Sequence, residues 1–189
     1  MNTWNKKNAL WLLLYVVLYV VASTVVCVLG SVHGILFVCY QITAAILVTG
    51  VAGKAFDRIK APGAAVCLGA GMILMFFLIQ DANLWHCLPV IVIAVLAELV
   101  RCICKYEAPG NLIASIIMSF STFGYYGQIW FNRDYTYECA IEEMPAGYAD
   151  TLMNCSPRWA LPVVILAGIV IAAVMYRIAA KLFQFTDEK

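Results

Sequence analysis

Six long stretches of apolar residues, almost free of charge, constrain this chain more than any other feature. They run from about Ala9 to Leu29, Ile35 to Ala52, Ala64 to Ile79, Cys87 to Val100, Leu112 to Phe131 and Ala160 to Leu182. A bilayer core is filled by roughly 20 apolar residues in a helix, so the runs match six membrane-spanning helices. Because they are continuously apolar and do not alternate, β-barrel strands are disfavoured. Composition agrees: 64% of the 189 residues are apolar or aromatic and 12% are charged, against about 45–50% and about 25% in a soluble domain. The expected fold is an all-α membrane protein, a single domain over residues 1–189, built as a six-helix transmembrane bundle. Lys6 and Lys7 before the first run resemble a signal peptide, but the run is too long and lacks a small-residue cleavage site, so it counts as a span.

Basic residues set the orientation. With the amino end inside, the inner segments hold Lys6, Lys7, Lys54, Arg58, Lys60, Arg101, Lys105, Arg177, Lys181 and Lys189, and the outer segments only Arg133 and Arg158. Ten against two is a strong inside bias, and an even number of spans puts both termini in the cytoplasm. A net charge of +1 gives no basis for binding nucleic acid. The inner connections are short and broken by Pro62 and Pro109. The last outer connection, Asn132–Arg158, has 27 residues, including Tyr135, Tyr137, Ile141, Met144, Tyr148, Leu152 and Met153. That is too apolar for disorder in water, so it is expected to fold over the outer mouth as a lid. Ser156-Pro157 reads as the start of the last helix.

Catalytic signatures do not stand out. Gly53-Lys54 lacks the other residues of a phosphate-binding loop, and neither His-Glu-x-x-His nor Gly-x-Ser-x-Gly occurs. His33 and His86 make a poor metal pair, and Cys102-x-Cys104 lacks further ligands. Of the eight cysteines, Cys139 and Cys155 share the outer loop, where a bridge would close about 15 residues and stabilise the lid by roughly 3 kcal/mol. Glu98 and Arg101 have the spacing of a local ion pair at the inner surface, or of a contact to a cytoplasmic partner. No chain of buried carboxylates or histidines suggests a proton relay.

Polar chemistry gathers at the outer mouth. Gln80–His86 joins spans three and four, and the end of span five runs from Thr122 to Asp134 with Tyr125, Gln128, Trp130 and Arg133. Ser115, Ser119, Thr122 and Tyr126 fall on one helix face, and Tyr40 and Gln41 in span two can face the same interior. An aromatic belt accounts for part of this, but not for amides, acids, arginine and glycine together. Aromatic walls with a few convergent polar groups suit small-molecule capture. The expected substrate-binding residues are Tyr40, Gln41, Asn83, Trp85, His86, Tyr125, Gln128, Trp130, Arg133 and Asp150, with no catalytic residue, metal or cofactor. The outer acids outnumber Arg133 and Arg158, which disfavours a highly anionic ligand.

Two motifs carry a family resemblance. Tyr148-Ala149-Asp150-Thr151-Leu152-Met153 precedes Ser156-Pro157-x-Trp159-x-Leu161-Pro162, and Trp130-Phe131-x-Arg133-Asp134-Tyr135 closes span five. With six spans and a long folded last outer loop, the chain resembles the substrate-binding S components of energy-coupling-factor (ECF) transporters, specifically the Trep_Strep family. The resemblance implies a non-enzymatic subunit of an ATP-driven importer in the bacterial plasma membrane. Such a subunit captures a small organic micronutrient between the outer loops and the helix ends. It docks on a coupling membrane subunit carrying two ABC ATPases, often through small residues four apart on span one; here Ser23 and Cys27 have that spacing. Two other readings stay open: an assembly or structural protein without ligand, and a membrane redox or thiol enzyme.

Overall fold

The computed structural model describes residues 4–185, so Lys189 and both extreme termini lie outside them. Among the described residues the chain forms eleven helices and no strand: α1 (Lys6–Val32), α2 (Gly34–Val38), α3 (Tyr40–Arg58), α4 (Ala64–Leu78), α5 (Leu84–Ile103), α6 (Ala108–Met118), α7 (Phe123–Tyr126), α8 (Gln128–Phe131), α9 (Arg133–Glu143), α10 (Tyr148–Asn154) and α11 (Ala160–Leu182). By length and composition, α1, α5 and α11 can cross a membrane, and α4 is a shorter apolar helix. Only 28%, 33% and 33% of the apolar windows of α1, α5 and α11 are buried, so most of each oily surface points outward. On α1 the outward face carries Leu10, Leu13, Val17, Val21 and Val28, while the inward stripe is Leu12, Tyr15, Tyr19, Ser23, Val26 and Gly30. Apolar outside and mixed inside is the pattern for a lipid solvent.

The core is organised around α3. It touches α1, α6 and α11, while α1 packs on α4, α4 on α5 and α5 on α6. Small buried residues, Ala44, Ala45, Ala52, Gly53 and Ala55, let the neighbours approach α3 closely. Gly53 lies under the Tyr176 ring, and Gly71 of α4 lies against Val16 of α1. The small residues of α3 and Gly71 of α4 are therefore spent on internal packing. Ser23 and Cys27 of α1 also face inward: Ser23 is fully buried, and Cys27 borders the cavity described below. They form no docking stripe on the outside of α1.

Two expected spans are interrupted. The second divides at Cys39 into α2 and α3, and α3 runs on to Arg58. His33, in extended conformation, ends α1 and caps α2, its Nδ1 accepting from the Ile35 N–H at 3.2 Å. The fifth is not one helix over Leu112–Phe131 but α6, a turn, α7 and α8. Ser115 and Ser119 donate to the carbonyls of Asn111 (2.6 Å) and Ile116 (2.7 Å), competing with the helical ladder. The backbone N–H groups of Phe120, Ser121, Phe123 and Tyr125 then bond three residues back, to Ile117, Met118, Phe120 and Thr122, the tighter 3₁₀ pattern. Ser115, Ser119, Thr122 and Tyr126 nevertheless all stay buried.

The 132–158 segment folds into a helical hairpin of α9 and α10. Gly147 makes the turn possible with φ +83°, a conformation costly for other residues. Cys139 and Cys155 both carry free thiols, so hydrogen bonds hold the hairpin.

At the opposite end of the bundle, Glu98 and Arg101 do pair, at 3.1 Å, but not on the surface. Arg101 is fully buried between Phe56 and Tyr106 and donates to the Ile59 carbonyl (2.6 Å) and Asn111 Oδ1 (3.4 Å). Glu98 also accepts the Ala65 N–H at 2.9 Å, satisfying an orphan donor at the start of α4. One ion pair, its arginine fully buried and its glutamate partly so, thus fastens the ends of α3, α4, α5 and α6.

Candidate ligand-binding site

At the hairpin end the helices part around a cavity of about 400 Å³, within the range of small-molecule pockets. Its walls come from α1 (Thr24, Cys27, Ser31), the α2–α3 junction (Phe37, Tyr40), the end of α4 (Met75, Ile79), the following turn (Asp81, Asn83), α5 (His86), α7 (Tyr125) and α8 (Gln128). The hairpin covers it with Tyr135, Thr136, Cys139, Ala140, Glu143, Met144, Tyr148 and Leu152.

The polar wall is built by two helix ends. Helix α4 stops with Gln80 in the left-handed region, φ 60°, and the Asp81 N–H reaching back to the Phe76 carbonyl at 2.9 Å, a Schellman-type stop. That reversal turns Asp81 toward the cavity. Asn83 then caps α5, its Oδ1 accepting the His86 N–H at 3.0 Å. The Asn83 amide nitrogen lies 2.9 Å from His86 Nδ1, and an Asp81 carboxylate oxygen lies 3.2 Å from the same ring nitrogen. The other Asp81 oxygen accepts from the Tyr125 hydroxyl. The His86 and Tyr125 rings stack with centroids 3.9 Å apart and planes 13° off parallel. The stack closes because Gly124 touches the Trp85 and His86 backbone: a Cβ there would stand 2.3 Å from the Trp85 carbonyl oxygen. Gln128 donates to the Gly124 carbonyl at 2.7 Å, and its buried Oε1 has no partner.

Of the ten residues expected to bind substrate, five line this cavity together: Tyr40, Asn83, His86, Tyr125 and Gln128. The other five do different work. Gln41 is fully buried and acts as a lock, accepting from the Tyr126 hydroxyl at 3.0 Å and donating to Ser119 Oγ at 3.0 Å. Trp130 donates to the Pro157 carbonyl at 3.1 Å. Arg133 donates to the carbonyls of Ser156 (3.0 Å) and Met153 (2.8 Å) and to Ser156 Oγ (3.2 Å). Asp150 accepts from the Tyr137 hydroxyl at 3.0 Å, which raises the Tyr137 pKa. These three fasten the hairpin. The Trp85 side chain is exposed, and only its backbone meets the site.

The sequence reading passed over Asp81, Phe37, Tyr135, Glu143 and Tyr148 as lining residues. Tyr148 is the clearest omission: its hydroxyl donates to the Gly30 carbonyl of α1 at 2.7 Å, and burial pushes its pKa up to about 12. Asp81 had a usable signal, because an acid two residues before a capping Asn sits in the reversal between two helices. The cavity holds acids, phenols, amides and aromatic faces, a set that can bind and orient a small molecule.

No curated protein and no solved structure matches the chain. Residues 6–185 do match a family model described as a hypothetical bacterial integral membrane protein, and on that near-complete match the chain belongs to the Trep_Strep family of bacterial integral membrane proteins.

Proposed function

We propose that this protein is the substrate-binding subunit of an ECF-type importer, taking a small organic micronutrient from the outer face of the bacterial plasma membrane. In this reading six segments cross the bilayer: α1, α2–α3, α4, α5, α6–α8 and α11. Both termini are cytoplasmic and the hairpin end is outside. The charge asymmetry supports that orientation, since Lys7, Lys54, Arg58 and Lys60 surround a second hollow at the opposite end. The observation that carries the proposal is the aromatic cavity beneath a hairpin tied down by side-chain hydrogen bonds.

The chemistry is binding, not bond-making. Substrate enters between α9–α10 and the helix ends and stacks on Tyr40, Tyr125 and the other aromatic faces. Asn83, His86 and Gln128 orient it. Closing the hairpin excludes water, which strengthens every polar contact inside. Trp130 and Arg133 hold the hairpin to the start of α11 and act as its fixed edge. Energy comes from two ABC ATPases through a coupling membrane subunit, consistent with a sequence that lacks a phosphate-binding loop.

The test is gentle solubilisation from the native membrane, with mass spectrometry of co-purifying small molecules and proteins. A bound organic nutrient together with a coupling subunit and ATPases supports the proposal. Repeated isolation with neither would leave an assembly or structural protein as the better reading.

A further inference from the structure

The fixed charge of the cavity is acidic, and His86, the one imidazole in its lining, already faces Asp81 at 3.2 Å. Its walls hold two carboxylates, Asp81 and Glu143, and neither a lysine nor an arginine. Arg133, the basic side chain at the start of α9, is committed to Ser156 and Met153. An anionic ligand would therefore lose its hydration without gaining a cationic partner. A cation finds the opposite. The aromatic side chains of Phe37, Tyr40 and Tyr125 are among the lining, and rings attract positive charge most strongly where water is excluded.

Gln128 adds a second, independent sign. Its side chain is 8% exposed. The Gly124 carbonyl, 2.7 Å from Nε2, can only accept, which fixes the amide orientation and leaves Oε1 as the orphan. A buried acceptor without a partner is uncommon and costly. A ligand N–H would satisfy it.

Resting on the reading of this cavity as a substrate receptacle, we propose that it selects a small organic cation: a protonated amine carried on an aromatic or apolar body. The ammonium group is held by the Asp81 and Glu143 carboxylates with the Gln128 carbonyl oxygen, and the body stacks on the aromatic walls.

Three probes of nearly one shape test this: tryptamine, a cation at neutral pH; tryptophol, its neutral alcohol analogue; and indole-3-acetate, the anion. Each is titrated against the full-length protein in zwitterionic nanodiscs, reading calorimetric heat and thermal stability. Tryptamine is expected to bind saturably and at least about tenfold more tightly than tryptophol, the scale of a desolvated cation–π and carboxylate contact. Indole-3-acetate is expected to bind more weakly than either. Asp81→Asn should lose most of the preference. Because Asp81 also holds Tyr125 and His86, the exposed rim variant Glu143→Gln serves as the second test. It should reduce tryptamine affinity several-fold while leaving tryptophol unchanged and the protein as stable as wild type.

Equal binding of tryptophol, or tighter binding of indole-3-acetate, overturns the charge selectivity but leaves the receptacle intact. Absence of tryptamine binding also overturns the inference. Only if no small molecule co-purifies from native membrane does the receptacle reading fall with it.

Discussion

The two ends of the bundle both gather polar side chains, and they spend them differently. At the Arg101 end the guanidinium meets Glu98, Asn111 and the Ile59 carbonyl, and Glu98 goes on to the Ala65 N–H. The cluster is closed, with its hydrogen bonds made inside the protein. At the hairpin end Asp81, Asn83, His86, Tyr125 and Gln128 surround open space, and Gln128 keeps an unpartnered Oε1. A cluster whose groups are mutually satisfied holds helices together. One that leaves an acceptor beside a hollow can take up a molecule that is not part of the chain.

The largest expected effect lies at the closed end. Arg101→Met removes a fully buried guanidinium and leaves the part-buried Glu98 carboxylate without its cationic partner, and should cost up to about 3–5 kcal/mol, measured by denaturant unfolding in mixed micelles. Adding Glu98→Gln to it should recover a good part of the loss, because no uncompensated charge then stays buried. If Arg101→Met unfolds at the wild-type midpoint, the cluster is not a fastener and the contrast between the ends fails.

Gly124→Ala comes next and strikes the open end. The added methyl meets backbone, the Trp85 carbonyl and His86 Cα, which has no flexible side chain to give way. Overpacking of this kind costs about 1–3 kcal/mol, and it should also separate α5 from α7 and weaken ligand binding. A variant that loses stability but keeps full affinity would show that the His86–Tyr125 stack does not shape the site. Arg133→Ala is more local. It removes three hydrogen bonds from a charged donor to Ser156 and Met153, and ties to charged groups are worth about 1.5–3 kcal/mol each only where solvent is kept away. Amide exchange should speed up through α10 and stay unchanged in α3, and ligand dissociation should accelerate. Uniform acceleration through both helices would mean that the hairpin is not an independent lid.

Tyr148→Phe probes the same hairpin through pH. Its hydroxyl, ordinarily near 10.0, is held protonated up to about 12 by burial. A group whose folded pKa lies above its unfolded value contributes stability that is complete below pH 10 and lost as pH climbs toward 12. The stability difference between wild type and Tyr148→Phe, about 0.5–1.5 kcal/mol for the bond to Gly30, should hold at pH 8 and shrink across that window. A difference independent of pH would mean that the phenol has the same pKa folded and unfolded, so that burial does not hold its proton.

Much of the architecture was legible because hydropathy reports what lipid requires. The start and end expected for the last helix, Ala160 and Leu182, agree with α11, and the third run differs from α4 by one residue. The fifth run misled for a physical reason: Ser115, Ser119 and the glycines after them are compatible with an apolar window, yet their hydroxyls and small size are what divert the backbone from a continuous helix. At the site, residue type was easier to read than neighbour. Tyr40, Tyr125 and Gln128 line the cavity, whereas Gln41, with the same chemistry as Gln128, sits beneath it locked between Tyr126 and Ser119. On α3 a single residue step, about 100° around the helix, separates contact at Tyr40 from lock at Gln41. Arg133 and Asp150 were conspicuous as charges in an apolar setting, but such a charge can as well bind a neighbouring carbonyl or phenol as a ligand, and composition does not separate the two.

Trp85 sharpens the comparison with the smallest effect. A tryptophan beside a candidate pocket invites a role in binding, yet this side chain is 54% exposed and only its backbone carbonyl abuts Gly124. Trp85→Ala keeps that carbonyl, the Asn83 cap and the His86–Tyr125 stack. Substitutions away from buried features usually stay within about 0.5 kcal/mol, so unfolding midpoint and ligand affinity should both remain near wild type. A tenfold loss of affinity in Trp85→Ala, with stability intact, would mean that the bound state draws the indole into the cavity and that the site is larger than its resting walls.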